Sequence, residues 1–146
     1  MIGYITLGTN DFERAAEFYD AVLDPLGAVR LIETERVIHY GRAGRSGPAL
    51  SIIRPHDGEA ATVGNGMMVA LATREKATVE RTHALALSLG GADEGAPGIR
   101  SDNFYGAYFR DLDGNKLCIY TLLGPIDAGA VRSFHEAQRA GGSDEA

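Results

Sequence analysis

The chain has 146 residues, of which 45% are hydrophobic and 23% are charged, and its net charge is −6 at neutral pH. This composition is typical of one globular domain or of two small repeats that share a core. The negative charge argues against nucleic-acid binding, which needs a basic surface, and no apolar run approaches the ~20 residues that cross a bilayer. One cysteine cannot form an internal disulfide and no secretory signal is visible, so we expect a cytoplasmic protein that acts on small molecules or on another protein.

The first half of the chain predicts a strand, a helix and three further strands. Asp11 is a good helix N-cap, and apolar residues then recur at helical spacing as far as Leu23. Pro25 and Gly27 stop this helix. The predicted strands, which are short, rich in β-formers and bounded by turn residues, are Ile2–Gly8, Ala28–Glu33, Arg36–Gly41 and Pro48–Arg54.

The second half repeats this order after a linker at 55–66, which is rich in turn formers and has no hydrophobic periodicity. A helix is predicted over Arg74–Leu89, with Gly90 ending it. The predicted strands are Met67–Ala72, a short strand that gives way to a loop within Ala92–Asp102, and the hairpin Phe104–Arg110 with Lys116–Thr121. We therefore expect one α+β structural domain of two βαβββ modules, residues 1–54 and 67–122, while residues 123–146 add a helix over Ala128–Ala140 and a tail.

A short internal sequence repeat supports a duplication of the module. Gly47–Ile53 and Gly114–Tyr120 both read Gly-x-x-Leu-small-Ile-x, which sets Ser51 against Cys118. Alternation along the strands predicts a core face made of Ile5, Leu7, Leu50, Ile52, Val69, Leu71, Leu117 and Ile119. The opposite faces mix aromatic, sulfur and hydroxyl groups, as small-molecule sites do. The predicted ligand-binding residues on them are Tyr4, His39, Ser51, Met68, Tyr108 and Cys118.

Three segments in this order resemble the vicinal oxygen chelate superfamily, which includes glyoxalase I, bleomycin-resistance proteins and extradiol dioxygenases. Tyr4–Tyr19 is similar to the first strand and the helix ending in Phe-Tyr. Gly64–Leu71 is similar to the strand that opens the second module. Phe109–Leu117 is close to the Asp-Pro-Asp-Gly-Asn turn of the family, with Leu112 where proline is usual. The resemblance implies mixed, curled sheets around a central cleft with the helices outside.

In the metal-dependent members of that superfamily, a divalent ion lies between the modules on ligands from the first and last strand of each. The positions that correspond here are Tyr4, Ser51, Met68 and Cys118. None is a His, Glu or Gln, and phenol, hydroxyl and thioether groups are poor ligands for a hard divalent ion. The resemblance therefore implies the fold without its usual metal site, and we expect no cofactor.

His39 is the acid–base candidate of the chain, because a histidine exchanges protons near neutral pH and can also orient a ligand by hydrogen bonding. Cys118 would act as a nucleophile only if a base lowered the pKa of its thiol. No third group is positioned by the sequence to complete such an arrangement, so an inert, half-buried cysteine is the simpler interpretation.

Charged and aromatic residues flank the acidic turn of the second module. Arg100 and Arg110 carry charge that attracts an acidic ligand, although Arg110 has the alternative of pairing with Asp111 or Asp113. The aromatic residues beside them stack either on a planar ligand or on one another across the hairpin; they are Phe104, Tyr105 and Tyr108.

The leading interpretation is a metal-independent small-molecule binding protein of the bleomycin-resistance-like kind, with the ligand in the cleft between the modules. The alternative is a glyoxalase- or dioxygenase-type enzyme, a lyase or an oxidoreductase, with an atypical active site. Such an enzyme needs either a divalent metal on ligands that the sequence does not identify or acid–base work by His39. A third interpretation is an interaction protein. The resemblance also implies a homodimer.

Overall fold

A computed structural model describes residues 2–45, 47 and 49–124 of the chain. The predicted helix over Ala128–Ala140 lies outside these residues. The helices are α1 (Phe12–Leu23), a 3-10 helix (Asp24–Leu26) and α2 (Lys76–Ser88). The strands are β1 (Tyr4–Gly8), β2 (Val29–Glu33), β3 (Val37–Gly41), β4 (Ala49–Ile53), β5 (Val69–Ala72), β6 (Ala92–Ser101), β7 (Phe104–Arg110) and β8 (Lys116–Leu122).

The strands form two four-stranded sheets of the same topology, in the orders β1-β4-β3-β2 and β5-β8-β7-β6. In each sheet the first and last strands of the module pair in parallel, and the other pairs are antiparallel. A helix connects the first strand of each module to the remaining three. The predicted α+β fold of two βαβββ modules is therefore confirmed.

Local signals in the sequence fix the ends of α1. The carboxylate of Asp11 accepts a hydrogen bond from the backbone N–H of Arg14 at 3.1 Å, which satisfies one of the free donors of the first turn. At the other end, Pro25 lies in the 3-10 helix, and Gly27 follows with a φ of +67° that a side chain would strain. The helix therefore begins and ends where the sequence predicts.

The prediction of a short strand and a loop over Ala92–Asp102 was wrong. This segment forms the ten-residue strand β6, which pairs with β7 along its length. The register shifts beside Gly95 and Gly98. Glycines and a proline normally indicate a loop, but here they create bulges that let the strand keep its partner.

The helix-facing sides of both sheets contribute to one hydrophobic core. Phe109 of β7 shows how the modules share it, because its ring lies near Phe18 of α1 and near His83 of α2, with centroid distances of 6.5 and 6.4 Å. The predicted core residues are buried in this cluster, apart from Ile5 and Leu71, which pack against it half-buried. The other sides of the sheets, which we term the open faces, point away from the shared core.

The turn of residues 111–115 ties the second module to the first. Asp111 Oδ1 accepts hydrogen bonds from the backbone N–H groups of Asp113 and Asn115, at 3.0 and 2.7 Å. Asp113 Oδ1 accepts from the backbone N–H of Asn10 at 2.8 Å, and Asn115 Nδ2 donates to the carbonyl of Gly8 at 3.0 Å. The acidic turn of the second module thus also joins the two modules by hydrogen bonds.

Among the described residues, no helix is long and apolar enough to cross a membrane.

Candidate functional site

Equivalent rows of side chains run across the two open faces. In the first sheet, strand pairing aligns Thr6, Ser51, His39 and Ile32. In the second sheet, it aligns Ala70, Cys118, Tyr108 and Gly95. Ser51 and Cys118 therefore occupy equivalent positions in the two sheets, as the internal sequence repeat predicts. His39 is the counterpart of Tyr108.

His39 makes two side-chain contacts in the first sheet. Its Nδ1 is hydrogen-bonded to Ser51 Oγ at 2.5 Å, and the edge of the Tyr4 ring packs against it at a centroid distance of 5.4 Å. Ser51 is fully buried and His39 is half-buried. Because Ser51 occupies Nδ1, the other ring nitrogen is Nε2, which can donate when Ser51 donates to Nδ1 and can accept in the other tautomer.

Cys118 holds the centre of the second row in the thiol form. Burial raises the pKa of this fully buried group, and it outweighs the lowering effect of the positive charges of Arg100 and Lys116 and of a hydrogen bond with Tyr108. A protonated thiol is a weak nucleophile and a weak metal ligand. Cys118 therefore lies beneath the open face as a small, buried and weakly reactive group.

The six predicted ligand-binding residues fall into separate groups. Tyr4, His39 and Ser51 contact one another, while Tyr108 and Cys118 interact on the other sheet. Within the described ranges, no hydrogen bond or ring contact joins the two groups. Met68 belongs to neither, and it lines a small recess of about 20 Å³ just before β5. Within one chain, the six residues therefore do not form a single cluster.

The four positions that correspond to the superfamily's metal ligands do not suit a divalent ion. Ser51 is engaged with His39, and Cys118 is a buried thiol. Tyr4 and Met68 offer a phenol and a thioether, which are weak ligands for hard cations. No cluster of three or more His, Cys, Asp or Glu side chains suitable for a metal occurs in the part of the chain that the structure describes.

An apolar cavity of about 570 Å³ lies between the modules, and it reaches the second row only at Ala70. Its walls include Leu23, Leu50 and Leu71, and Arg42 and Arg45 lie at its border. The sequence predicts a cleft between the modules but not these lining residues, because the leucines carry the same signal as any core residue. Whether core residues enclose a space depends on how the modules pack, and no local pattern records that.

The cations beside the second row differ in their partners. Arg110 Nε donates to Glu94 at 2.6 Å, so its predicted alternative partners Asp111 and Asp113 were wrong. Lys116 Nζ bonds to the second oxygen of Glu94 at 3.0 Å. Arg100 instead donates to the backbone carbonyl of Ala96 and lies over the ring of Tyr108.

The three aromatic residues of the hairpin lie in different surroundings, and Phe104 alone of them shows the predicted packing across the hairpin among the described ring contacts. The ring of Phe104 stacks on that of Tyr120 at a centroid distance of 4.7 Å and an interplanar angle of 11°, which is packing across the hairpin. Tyr105 turns to the helix side, where its hydroxyl donates to Glu80 at 2.8 Å. Tyr108 remains on the open face with Arg100 and Lys116 near its ring.

The chain was compared with known proteins. No family sequence model matches it, and no curated protein sequence matches it significantly. Among solved structures, it is similar to a glyoxalase/bleomycin resistance protein from Albidiferax ferrireducens, with 34% identity, a TM-score of 0.76, and coverage of 83% of this chain and 98% of that one.

Two further likenesses show the fold alone. A glyoxalase-related enzyme from Fulvimarina pelagi has 23% identity and a TM-score of 0.66, over 88% of this chain and 93% of that one. The fosfomycin resistance protein FosX from Mesorhizobium loti has 18% identity and a TM-score of 0.61, over 86% and 93%. The repeated modules, the inter-module turn and the first similarity together show that this chain belongs to the glyoxalase/bleomycin resistance protein family of the vicinal oxygen chelate superfamily.

Proposed function

We propose that this protein binds a small molecule without a metal ion, on the open faces of its two sheets. The observation that carries the proposal is the pair of matched rows in which His39 and Tyr108 flank the fully buried Ser51 and Cys118. His39 and Tyr108 present an imidazole and a phenol on the open faces above the buried hydroxyl and thiol, and none of the four side chains is a carboxylate. Such surface binds a ligand through apolar contact and orients it through a few hydrogen bonds.

Each of the six predicted residues has a part in this proposal. His39 Nε2 and the hydroxyl of Tyr108 orient the ligand, and the hydrogen bond with Ser51 holds the His39 ring in place. Tyr4 and Met68 supply exposed apolar surface at the entrance, and Cys118 lies beneath the open face. The single cysteine and the acidic composition favour action in the cytoplasm.

We further propose that two copies assemble to enclose the ligand. The open faces carry large apolar side chains in water, since Tyr4 is 62% exposed, Ile32 57% and Met68 45%. Exposed apolar patches of this kind are typical of interaction sites. A homodimer that sets the first sheet of one copy against the second sheet of the other would unite the two rows in one cleft.

Sedimentation of the wild type tests the homodimer, and Ile32→Lys is the informative variant. We expect a dimer that this variant converts to a monomer, because a charge on the open face resists burial. Leu89→Lys, after α2 and away from the open faces, is the matched control and stays dimeric. A monomer at every wild-type concentration contradicts the assembly.

Elemental analysis of protein purified without chelator tests the metal-independent site. We expect less than stoichiometric metal. In an NMR screen, we expect small aromatic compounds to shift the amide signals of His39, Ser51, Tyr108 and Cys118. A stoichiometric transition metal, or ligands that shift only the signals of the apolar cavity, overturns the proposal.

A second candidate function follows from the bond between His39 and Ser51. That pair can hold and release a proton at Nε2, as an acid–base enzyme with an atypical site requires. The wild type is tested for conversion of a 2-oxoaldehyde–thiol adduct or a catechol. Conversion that His39→Gln loses while it still binds the probes would favour the enzyme over the binding protein.

A further inference from the structure

Arg100 is held in a fixed place on the open face of the second sheet. One of its N–H groups donates to the carbonyl of Ala96 at 2.6 Å, and its guanidinium carbon lies 5.3 Å from the centroid of the Tyr108 ring. A side chain at Gly95 would fill this place, because its Cβ would come within 3.1 Å of both Arg100 Nη2 and Tyr108 Cδ2. The bulge at Gly95 therefore makes room for the arginine.

Among the residues that the structure describes, Arg100 differs from its neighbours in having no carboxylate partner. Glu94 bonds to both Arg110 and Lys116, at 2.6 and 3.0 Å. Within the described ranges, no acidic side chain forms an ion pair with Arg100. Its side chain is exposed, so its remaining N–H groups are available to a ligand.

The positive field of these side chains reaches the centre of the row. The charges of Arg100 and Lys116 both act to lower the pKa of the Cys118 thiol, even though burial raises it overall. The chain as a whole has a net charge of −6, which repels anions. A local positive field on an acidic protein selects where an anion is bound.

From this geometry we infer that Arg100, together with the Tyr108 ring, forms a subsite for the oxyanion of a small planar ligand, such as a carboxylate or phosphate group on an aromatic ring. The inference rests on the proposed function, because the subsite lies beside the row that is proposed to bind the ligand. The guanidinium offers paired donors to two oxygens of the anion, and the ring of the ligand packs over the Cys118–Tyr108 surface. The subsite accordingly selects acids over neutral compounds of the same shape.

Benzoate and benzamide test this selection, because they have the same planar shape and differ in charge. Both are titrated into the full-length protein while amide NMR signals are followed. We expect benzoate to bind about tenfold more tightly than benzamide, with shifts at Gly95, Arg100 and Tyr108, since a charge-assisted bond is worth about that factor. In Arg100→Gln the benzoate affinity falls about tenfold and the benzamide affinity is unchanged.

Arg81→Gln is the control, since it removes the same charge from the exposed surface of α2. We expect this variant to keep the preference for benzoate over benzamide. An equal loss of benzoate affinity in both variants would reveal an effect of overall charge and would overturn the subsite. Equal binding of the two probes to the open face also overturns the subsite but leaves the proposed function intact. If neither probe binds to the open faces, the proposed function fails and the subsite with it.

Discussion

The hydroxyl of Tyr19 on α1 donates a 2.7 Å hydrogen bond to Asp111 Oδ2 in the turn of the second module. Both residues are buried, and they are 92 positions apart in the chain. The same carboxylate oxygen accepts from Asn115 Nδ2 at 2.8 Å. A hydrogen bond thus joins the Phe-Tyr pair of the first helix motif to the acidic turn of the second module. This contact helps to set how the modules pack.

Tyr19→Phe tests the contribution of this bond to stability. The substitution keeps the packed ring and removes a donor from a buried carboxylate, so we expect a loss of roughly 1 to 3 kcal/mol in the free energy of unfolding. Urea denaturation at one fixed protein concentration measures it. Tyr4→Phe, on an exposed ring, is the control and stays within about 0.5 kcal/mol. Equal effects of both substitutions would show that the bond adds nothing.

Stability at alkaline pH follows from the same residue. Burial, followed by the charge of Asp111 and the hydrogen bond with it, raises the pKa of Tyr19 well above its usual value. An unfolded tyrosine ionises near pH ~10. The stability that Tyr19 contributes is therefore complete below that pH and is lost as the pH rises toward the folded pKa.

The free energy of unfolding of the wild type should accordingly fall with pH above ~10 more steeply than that of Tyr19→Phe. The difference in slope is about 1.4 kcal/mol per pH unit, the value for one proton. Tyr40, whose pKa is raised mainly by burial and also by its hydrogen bond to Asp20, contributes to both slopes. Parallel curves for the two proteins would contradict the assignment to Tyr19.

Gly91, between α2 and β6, is a position where any side chain collides with backbone. A Cβ there would lie 2.8 Å from the carbonyl oxygens of both Ala86 and Arg110. Since neither oxygen can move without shifting its helix or strand, we expect Gly91→Ala to lower the free energy of unfolding by about 1 to 3 kcal/mol. Gly3→Ala, which has no atom within 4 Å of the new Cβ, is the control. A neutral Gly91→Ala in denaturant melts would disprove the collision.

Cys118 should be unreactive in the folded protein, because it is fully buried and burial raises the pKa of its thiol. As the chain has one cysteine, Ellman's reagent reports on this side chain alone. We expect slow labelling at neutral pH and rapid labelling of one thiol after unfolding in guanidinium. Labelling of the native protein as fast as that of the unfolded chain would show an accessible, activated thiol.

Local patterns predicted the elements and the faces of the strands. The alternation of apolar residues in Leu50–Ile52 and in Leu117–Ile119 separates the core from the open face, because neighbouring side chains of a strand point to opposite sides. The match between Ser51 and Cys118 was visible in the sequence for the same reason. The extent of β6 was not, since the bulges beside Gly95 and Gly98 depend on pairing with β7.

The sequence by itself therefore determined two repeated modules and their order of strands and helices, and it places side chains that are poor ligands for hard cations at Tyr4, Ser51, Met68 and Cys118. Those properties depend on residue type and on spacing within a few positions. The tertiary structure alone decided that Arg110 bonds to Glu94 while Arg100 lies over the ring of Tyr108. It also decided that the rows of His39 and Tyr108 remain separate in one chain, because strand register and module packing bring together residues that no local pattern relates.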